Sequence, residues 1–416
     1  MSDVRDQYEK WVYPLPVEDL DADFKAGHFD RSDPSLFRRK LWPRAVEPQK
    51  LKILIAGCGT MQAARYAFRN PECDVVGIDI SQASLKHEDY LKRKHGLANL
   101  RLHCLSILDV QQLGEQYDMI VSSGVLHHLR DPDAGLRKLK ALLLPRGVMS
   151  IMVYGWYRRF GVYMMQEAFR LLGIEQTAEG VALARETLAA LPAWHHVKSY
   201  EKSAPDLDFD GGIVDTFLHP CDRAYTVAQV LRLASDNGLQ FQDWLDRYSY
   251  SISALIPDGL GIRPLASRLK PEERWQLVEL LGQSLGTHAF LLCHAERDPQ
   301  DYVVEFAAGD EHGAWLSYIP HLRPPMEVLR LSDPQHRNPG TLRRFIYEFT
   351  LEGRDVPLFE LVNGSRTIAE IIEACSTSPE QVAENRGIAF GLFSRMYEWD
   401  HLLYEIGRQP RSTAQQ

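Results

Sequence analysis

The sequence predicts an α/β fold, in which helices cover both faces of a parallel sheet, followed by a smaller and mostly helical domain. Between residues 51 and 155, short apolar runs alternate with stretches whose apolar residues recur three and four positions apart. That alternation is typical of parallel strands joined by crossover helices, a doubly wound sheet. The predicted strands are residues 52–56, 75–79, 100–105, 119–122 and 148–154, with crossover helices at 84–95 and 134–144.

The pattern changes after the fifth predicted strand. Residues 158–191 form one long helical pattern, which predicts a helical cap inserted into the sheet domain at about residues 156–225. Alternation then resumes with a helix at 227–237, a strand at 239–245, a helix at 272–283 and a last strand at 287–295.

A chain of 416 residues is long for a single hydrophobic core, so we expect more than one domain. We place an N-terminal arm or lid at residues 1–50, the sheet domain at 51–298 and an accessory C-terminal module at 299–416. The segment VPLFELVNGSRTIAEIIEA, followed by a helical pattern, predicts that this last module is winged-helix-like.

Composition and charge narrow the possible functions. No stretch approaches the roughly 20 apolar residues of a membrane span, and MSDVRDQYEK lacks the core of a signal peptide, so we expect a cytoplasmic protein without a membrane partner. The six cysteines are scattered without a CxxC pair, which predicts neither a disulfide framework nor a zinc knuckle. The net charge of -9 disfavours nucleic acid as a partner.

The stretch ILIAGCGT, residues 53–60, predicts a ligand-binding turn between the first strand and a helix. Gly57 and Gly59 allow a tight turn and let a ligand approach without a Cβ atom in the way. Asp79 ends the next predicted strand, where its carboxylate can bond both hydroxyls of a ribose. The alternatives are a purely structural turn and, for Asp79, a helix cap, although Ser81 is available for that purpose.

The turn departs from the pattern that binds dinucleotides. The third glycine of a GxGxxG motif would fall at Gln62, and no other small residue nearby lets a pyrophosphate rest on the helix start. A ligand with a ribose and an adenine but no phosphate fits these residues better. S-adenosylmethionine (SAM) is such a ligand.

Further segments follow the turn in a characteristic order: VVGIDIS, CLSILDV, and YDMIVSSGVLHHL with the strand GVMSIMVYG. With ILIAGCGT they resemble the class I SAM-dependent methyltransferases, whose Rossmann-like sheet has seven strands. In that family they form the nucleoside-binding turn, the ribose strand, the adenine edge, and the fourth and fifth strands. Two positions depart from the family, because Ala56 stands where an acidic residue is usual and Met61 where a third glycine is usual.

A narrower resemblance, to a group of bacterial methyltransferases, rests on YEKWVYPLP at residues 8–16, AGCGT, SSGVLHHL and the segment from Tyr154 to Tyr163. It implies the cofactor SAM and the product S-adenosylhomocysteine, and leaves the acceptor open. The residues implied to contact SAM are Gly57, Cys58 and Gly59 at its amino acid and ribose, Asp79 at the ribose, Ile80, Ser106 and Ile107 around the adenine, and Ser123 and Gly124 at the methionine portion.

Three aromatic residues precede a proline turn near the N-terminus. Tyr8, Trp11 and Tyr13 predict a lid over the cofactor's sulfonium, where cation-π attraction contributes about 0.5–2 kcal/mol. Alternatively the rings pack the arm onto the sheet domain, and the two interpretations are compatible.

Four residues are candidates for catalysis. His127 and His128 follow the fourth predicted strand and are candidate bases, or they begin a helix with one ring in the core. Tyr154 ends the fifth predicted strand, where a substrate can lie, or it is an aromatic at the sheet edge. His219 lies in the segment DGGIVDTFLHPCDRAYT at residues 210–226.

Polar residues after the fifth strand are candidates for binding the acceptor. Asp215, Asp222 and Arg223 of residues 210–226 are predicted to reach over its pocket with His219. A metal site is the alternative, but the spacing matches no established ligand pattern, so we favour an ordered loop and predict no metal. Arg158 and Arg159 are predicted to bind a carboxylate of the acceptor, or they form a solvated basic pair.

These observations favour a SAM-dependent methyltransferase whose acceptor is a small molecule enclosed under the cap. One alternative is a protein or peptide methyltransferase that docks its substrate through the C-terminal module. The other is a SAM-binding regulatory protein without catalysis. The acceptor atom and the oligomeric state are not predicted.

Overall fold

The computed structural model describes residues 2–44, 50–282, 285–306, 313–330, 340–344 and 347–407. The chain forms two compact units. The sheet unit comprises Met1–Asp30, Lys50–Trp244 and Leu255–Glu296, and the C-terminal unit comprises Arg31–Gln49, Leu245–Ala254 and Arg297–Gln416. The division therefore differs from the expected boundaries, because two earlier segments cluster with the C-terminal residues.

The elements are numbered in chain order. The helices are α1 (Ser2–Lys10), α2 (Leu20–Lys25), α3 (Pro34–Leu41), α4 (Gln62–Arg69), α5 (Gln82–His95), α6 (Pro132–Lys140), α7 (Trp156–Leu171), α8 (Ala178–Ala190), α9 (Val197–Glu201), α10 (Asp210–Phe217), α11 (Val227–Asp236), α12 (Ile252–Leu255), α13 (Ile262–Ala266), α14 (Pro271–Gly282), α15 (Val356–Glu360), α16 (Ile368–Ala374) and α17 (Pro379–Glu398). The strands are β1 (Lys52–Ala56), β2 (Asp74–Asp79), β3 (Leu100–Cys104), β4 (Tyr117–Ser123), β5 (Leu143–Gly155), β6 (Ala224–Tyr225), β7 (Leu239–Trp244), β8 (Thr287–His294), β9 (Ile319–Leu322), β10 (Glu327–Arg330), β11 (Gly340–Arg344), β12 (Tyr347–Leu351) and β13 (Leu402–Glu405). Within the described residues, every helix is too short or too polar to cross a membrane.

The sheet unit is built on one large sheet. Its strand order is β3-β2-β1-β4-β5-β8-β7, and the two-residue strand β6 pairs with β5. Strands β1 to β5 run parallel to one another, whereas β8 runs antiparallel to β5 and β7. The predicted seven-stranded, doubly wound sheet is confirmed, with β6 as a short addition. The order reverses between β1 and β4, which is where such sheets bind ligands.

The central strands are apolar because both of their faces are covered. Ile53 of β1 pairs with Val75 of β2 on one side and Met119 of β4 on the other. All three side chains are fully buried. Helices cover both faces of such a parallel sheet, so its strands carry continuous apolar runs instead of alternation.

Helix boundaries follow local capping groups. Ser81 caps α5, since its hydroxyl accepts the Ser84 N–H, and Gly96 ends the helix with a φ of 63°. The helix expected at residues 134–144 was placed too late: α6 begins after the cap Asp131 and ends at Lys140, and Leu143 already begins β5. Leu142 to Leu144 fit the apolar pattern of either element, so periodicity could not separate them.

The predicted helical insertion lies between β5 and β6. The single helical stretch expected at residues 158–191 is two helices, α7 and α8, separated by a turn at Gly173 with a φ of 66°. The segment predicted as an ordered loop at residues 210–226 begins as helix α10 instead. The helices enclose their own core of Val162, Met165, Phe169, Val181, Ala184, Leu188, Val197, Ile213, Val214 and Phe217.

The C-terminal unit combines helices and strands. Strands β10, β11 and β12 form an antiparallel sheet, and β13 pairs with β9. Helices α15 to α17 agree with the expected helical part, whereas the strands were not predicted, because elements of four or five residues contain too few positions to establish an alternation. The shared core includes Leu342, Phe349, Leu358, Ile371, Leu392, Phe393 and Leu402.

Asp400 is the centre of a buried ion cluster in the C-terminal unit. Its carboxylate lies 3.2 Å from the Lys40 Nζ, 3.2 Å from the Arg247 Nη1, 2.5 Å from the Arg323 Nη1 and 4.0 Å from the Arg344 Nη2. Burial raises the pKa of Asp400, but the four cations outweigh burial and hold that pKa well below its usual range. The cluster therefore joins three separate stretches of this unit.

Replacing Asp400→Asn should destabilise the protein by about 3–5 kcal/mol, because the buried cations lose their counterion. The matched control is Glu348→Gln in the same unit, whose ion pair with Arg343 is half exposed and should contribute less than about 1 kcal/mol. Urea unfolding of the full chain measures both. Equal losses in the two variants would contradict a structural role for the Asp400 cluster.

Candidate active site

A cavity of about 1220 Å³ opens at the carboxyl ends of the parallel strands. Gly57 after β1, Asp79 of β2, Ser123 of β4 and Tyr154 of β5 all line it. We call the part at Gly57, Asp79 and Ser106 the crevice. The part at Tyr8, His128 and Tyr154 is called the chamber.

Gly57 is required by the shape of the turn after β1. Its φ is 82°, and a Cβ atom there would lie 2.4 Å from Cγ2 of Val125. The N–H groups of Gly57 and Cys58 both donate to the carbonyl of Ile78, at 2.8 and 2.9 Å. The turn is thus fixed to β2, with no room for a larger side chain.

Asp79 is held by the backbone on both of its oxygens. Oδ2 accepts the N–H of Gly59 and Oδ1 accepts the N–H of Ser81, each at 2.9 Å. Burial raises the pKa of Asp79, while these backbone bonds act in the opposite direction. Asp79 orders the loop and the turn, whereas Ser81 caps the helix, and the carboxylate lines the crevice at the predicted ribose position.

Glu88 holds the start of the helix that follows the turn, and the sequence analysis did not select this residue. Its carboxylate accepts the N–H groups of Ala63 and Ala64 at 2.9 and 2.8 Å, at the start of α4. The Cys58 thiol is buried next to Glu88 and Cys58 does not line the cavity, so the structure does not support the contact predicted for Cys58. A carboxylate two turns into α5 has no local signal that connects it to α4.

The other residues predicted around the cofactor line the crevice. They are Gly59, Ile80, Ser106, Ile107, Ser123 and Gly124. The Ser106 hydroxyl accepts the Leu108 N–H at 3.2 Å and begins a 3-10 turn, Ile107–Leu113. Asp109 of that turn also lines the crevice, and the sequence interpretation did not select it.

The N-terminal arm lies over the turn. The Thr60 hydroxyl donates to the Pro14 carbonyl at 3.2 Å, and a Cβ at Gly59 would lie 3.2 Å from the Pro14 ring. Tyr8 and Tyr13 line the cavity, but Trp11 packs against the core of the helical insertion instead. Two of the three predicted lid residues therefore reach the cavity.

Asp215 joins the arm, the sheet and the insertion. Its Oδ1 accepts the Tyr8 hydroxyl at 2.9 Å, and its Oδ2 accepts the Tyr154 hydroxyl at 3.2 Å. Burial raises the pKa values of Asp215, Tyr8 and Tyr154. Asp215 lies behind these two tyrosines and does not itself line the cavity.

Three histidines cluster beside Tyr154. His128 lines the chamber, and its Nδ1 lies 2.9 Å from the Cys221 carbonyl, so Nδ1 carries the hydrogen and Nε2 keeps its lone pair. The His219 ring stacks on His128 at 3.9 Å between centroids. His127 is fully buried beneath them, and within the described residues neither of its ring nitrogens has a hydrogen-bond partner. Burial and nearby cations lower the pKa of His127, and burial lowers that of His219.

The two predicted arginines occupy different positions in the chamber. Arg159 lies 3.6 Å above the Tyr154 ring and donates to Tyr200 and Asp222, at 2.7 and 3.1 Å. Arg158 donates to the Ser199 carbonyl and the Ser203 hydroxyl at 2.9 and 2.8 Å. Both line the cavity, whereas Arg223 is exposed outside it.

Comparisons with known sequences show which family of proteins this chain belongs to. A family model described as a methyltransferase domain matches residues 54–149, the span that contains the turn, Asp79 and the histidine pair. The chain is also 32% identical over 348 residues to an uncharacterized protein of a Synechococcus species, covering 80% of this chain and 79% of the relative. It belongs to the class I SAM-dependent methyltransferases. SAM is therefore the cofactor of this methyltransferase.

Two further relatives show how far the likeness extends. PKMT2 from Rickettsia typhi superposes with a TM-score of 0.65 at 15% identity over 94% of this chain and 77% of that chain, so the fold is shared well beyond the methyltransferase domain. PKMT2 has also been solved in complex with AdoHcy. The trans-aconitate 2-methyltransferase of Deinococcus radiodurans is 32% identical over 113 residues, 26% of this methyltransferase and 41% of that enzyme.

Replacing Asp79→Ala should weaken S-adenosylhomocysteine binding about 100-fold or more, because each hydrogen bond to a charged group contributes about 1.5–3 kcal/mol. Asp74→Ala is the matched control, since Asp74 lies at the other end of β2 and pairs with Lys50 outside the cavity. Calorimetric titration measures both affinities. Unchanged affinity in Asp79→Ala would contradict the ribose assignment.

Glu88 should make the stability of the methyltransferase depend on pH. Burial raises the pKa of Glu88 from 4.5 to about 8, so its protonated form is favoured by folding. That contribution is complete below about pH 4.5 and is lost as the pH rises through about 8. The stability of the wild-type protein relative to Glu88→Gln should therefore fall between pH 5 and pH 9 in denaturant titrations. A constant or rising difference would show that Glu88 is ionised throughout.

Proposed function

We propose that this methyltransferase transfers the methyl group of SAM to a small molecule held in the chamber. The supporting observation is that segments outside the sheet cover the chamber. The arm contributes Tyr8 and Tyr13, and the insertion contributes Tyr200 and Asp206. A concave site with a few polar groups among aromatic rings suits a small acceptor.

The chamber is suited to recognise an acceptor that carries O–H or N–H groups. The hydroxyl hydrogens of Tyr8 and Tyr154 are both directed to Asp215, so the phenolic oxygens keep lone pairs for a further bond. Arg159 is already bonded to Asp222 and Tyr200. Arg158 lies at the chamber wall and uses only Nη2 for its bonds to Ser199 and Ser203, so the rest of its guanidinium is the proposed partner for an acidic group of the acceptor.

The chemistry needs alignment more than a strong base. Methyl transfer from a sulfonium is an in-line displacement, and it is accelerated by positioning the nucleophile and excluding water. His128 and Tyr154 line the chamber and are proposed to contact the acceptor. His127 and His219 lie behind His128, so we assign them to holding its ring in place.

The proposal is tested by incubating the full chain with methyl-labelled SAM and a panel of low-mass alcohols, amines and acids. With a responding acceptor, Tyr154→Phe should lower kcat about 10- to 100-fold, the range of one lost hydrogen bond to a charged group, and leave S-adenosylhomocysteine affinity unchanged. Tyr117→Phe is the matched control, because its buried hydroxyl has no hydrogen-bond partner within the described residues. Equal effects of the two changes would contradict a role for Tyr154.

A second candidate is methylation of a peptide or protein that docks on the C-terminal unit. Its support is the likeness to PKMT2, which extends over 94% of the chain and so takes in residues far outside the sheet unit. The same incubation with cell extract separates the candidates by size. Label in the macromolecular fraction supports a peptide or protein acceptor, and label below about 1 kDa supports a small-molecule acceptor. Cofactor binding without any transfer would favour the SAM-binding regulator.

A further inference from the structure

The side chains of His127, His128 and Asp222 cluster beside the chamber, and some of their polar atoms have no hydrogen-bond partner within the described residues. His127, His128 and Asp222 each offer a ligand atom, and these atoms all lie within 4.8 Å of one another. Two nitrogens and a carboxylate oxygen are a donor set that divalent transition metals bind in proteins. We infer that His127, His128 and Asp222 bind a divalent transition-metal ion, with Zn²⁺ as the probe of choice.

Buried polar atoms without hydrogen-bond partners support an ion at this position. Within the described residues, both ring nitrogens of His127 and Oδ1 of Asp222 have no hydrogen-bond partner. His127 is 0% exposed, and so is the side chain of Asp222. Buried polar atoms are almost always bonded, so unbonded atoms in a cluster of possible metal ligands support an ion or a water molecule between them.

The surroundings prepare two of the three side chains for coordination. The Cys221 carbonyl accepts the Nδ1 hydrogen of His128, which leaves the Nε2 lone pair as the ligand. Arg159 and Gln166 both donate to Oδ2 of Asp222, at 3.1 and 2.9 Å, which leaves Oδ1 for the ion. Arg159 also adds a positive charge beside the site, so the ion depends on two neutral imidazoles and one shared carboxylate.

The distances require a modest contraction. Zinc ligands lie about 2.0–2.2 Å from the ion, so neighbouring ligands of a tetrahedral site lie about 3.3–3.6 Å apart. The donor atoms of this cluster all lie within 4.8 Å of one another, so binding draws them together by at most about 1.5 Å. Rotations about the side-chain bonds supply a movement of that size.

A neighbouring set, His128, Asp215 and His219, meets the same distance limit but fits the ion poorly. The Nδ1 of His219 accepts the Cys221 N–H at 3.0 Å, so in the neutral ring the hydrogen is on Nε2 and blocks coordination there. Both oxygens of Asp215 already accept tyrosine hydroxyls. The hydrogen bonds therefore select the set that contains His127 and Asp222.

Three protein ligands leave a fourth position open, as in catalytic zinc sites. His128 lines the chamber, so that position is accessible to a molecule bound there. If the proposed function holds, an acceptor hydroxyl that takes this position becomes more acidic and gives its proton to water. Its oxygen forms the bond to the methyl group as the bond from sulfur to that methyl breaks, and sulfur keeps the electron pair.

The test is titration of the chelator-treated, tag-free full chain with Zn²⁺ by calorimetry, and with Co²⁺ by its visible absorption. We expect one ion per chain, with affinity lost more than about 100-fold in His127→Asn and in Asp222→Asn, beyond the 10- to 100-fold typical of an outer-shell partner. His219→Asn is the matched control: His219 stacks on the His128 ring without belonging to this set, so its loss should cost no more than the factor of about 10 to 100 typical of an outer-shell partner.

Binding of S-adenosylhomocysteine by each variant is measured in parallel as a check of folding that does not depend on acceptor turnover. If a histidine variant fails this check, the tetrahedral Co²⁺ spectrum of the wild-type protein decides, because nitrogen and oxygen ligands in that geometry give an intense band. No Zn²⁺ binding by the wild-type chain, or loss in His219→Asn with retention in His127→Asn, would overturn the inference. Metal binding without any methyl transfer would leave it standing and refute the proposed function alone.

Discussion

The hydrogen bonds between the glycine turn and the end of β2 fix the shape of the crevice, which we propose binds the cofactor. The Ile78 carbonyl receives the N–H groups of Gly57 and Cys58, and Asp79 receives that of Gly59. The strand that supplies the predicted ribose carboxylate therefore also holds the turn that the cofactor approaches. Because these hydrogen bonds join the two parts directly, their spacing does not depend on the arm or the insertion.

The chamber is built in a different way from the crevice. Its centre is Asp215, whose carboxylate accepts one hydroxyl from the arm and one from β5. Tyr8 and Asp215 are 207 residues apart in the chain, so this contact exists only when arm, sheet and insertion are packed together. Burial of a carboxylate is costly unless it is hydrogen-bonded, and the two tyrosines meet that requirement. The crevice thus comes from a continuous motif and the chamber from separate segments.

Two buried carboxylates of this methyltransferase, Asp400 and Asp222, have different environments. Around Asp400, cations surround one carboxylate, and the attraction between the cations and that carboxylate links separate stretches of the C-terminal unit. Around Asp222, Arg159 and Gln166 bond one carboxylate oxygen, and the other oxygen has no partner within the described residues. A carboxylate surrounded by cations is explained by stability, whereas an unbonded carboxylate oxygen close to two histidines is the ground for the proposed ion.

The sequence by itself determined the sheet, the glycine turn and the placement of Asp79, because these depend on apolar periodicity and on contacts between neighbouring strands. It also placed Tyr154 and His128 at the ends of strands that meet at one edge. Only the tertiary structure decided that Cys58 and Trp11 turn away from the cavity, that Glu88 supports α4, and that Asp222 lies close to His127. Those outcomes depend on how segments far apart in the chain pack around one another, and no local pattern of residues encodes that packing.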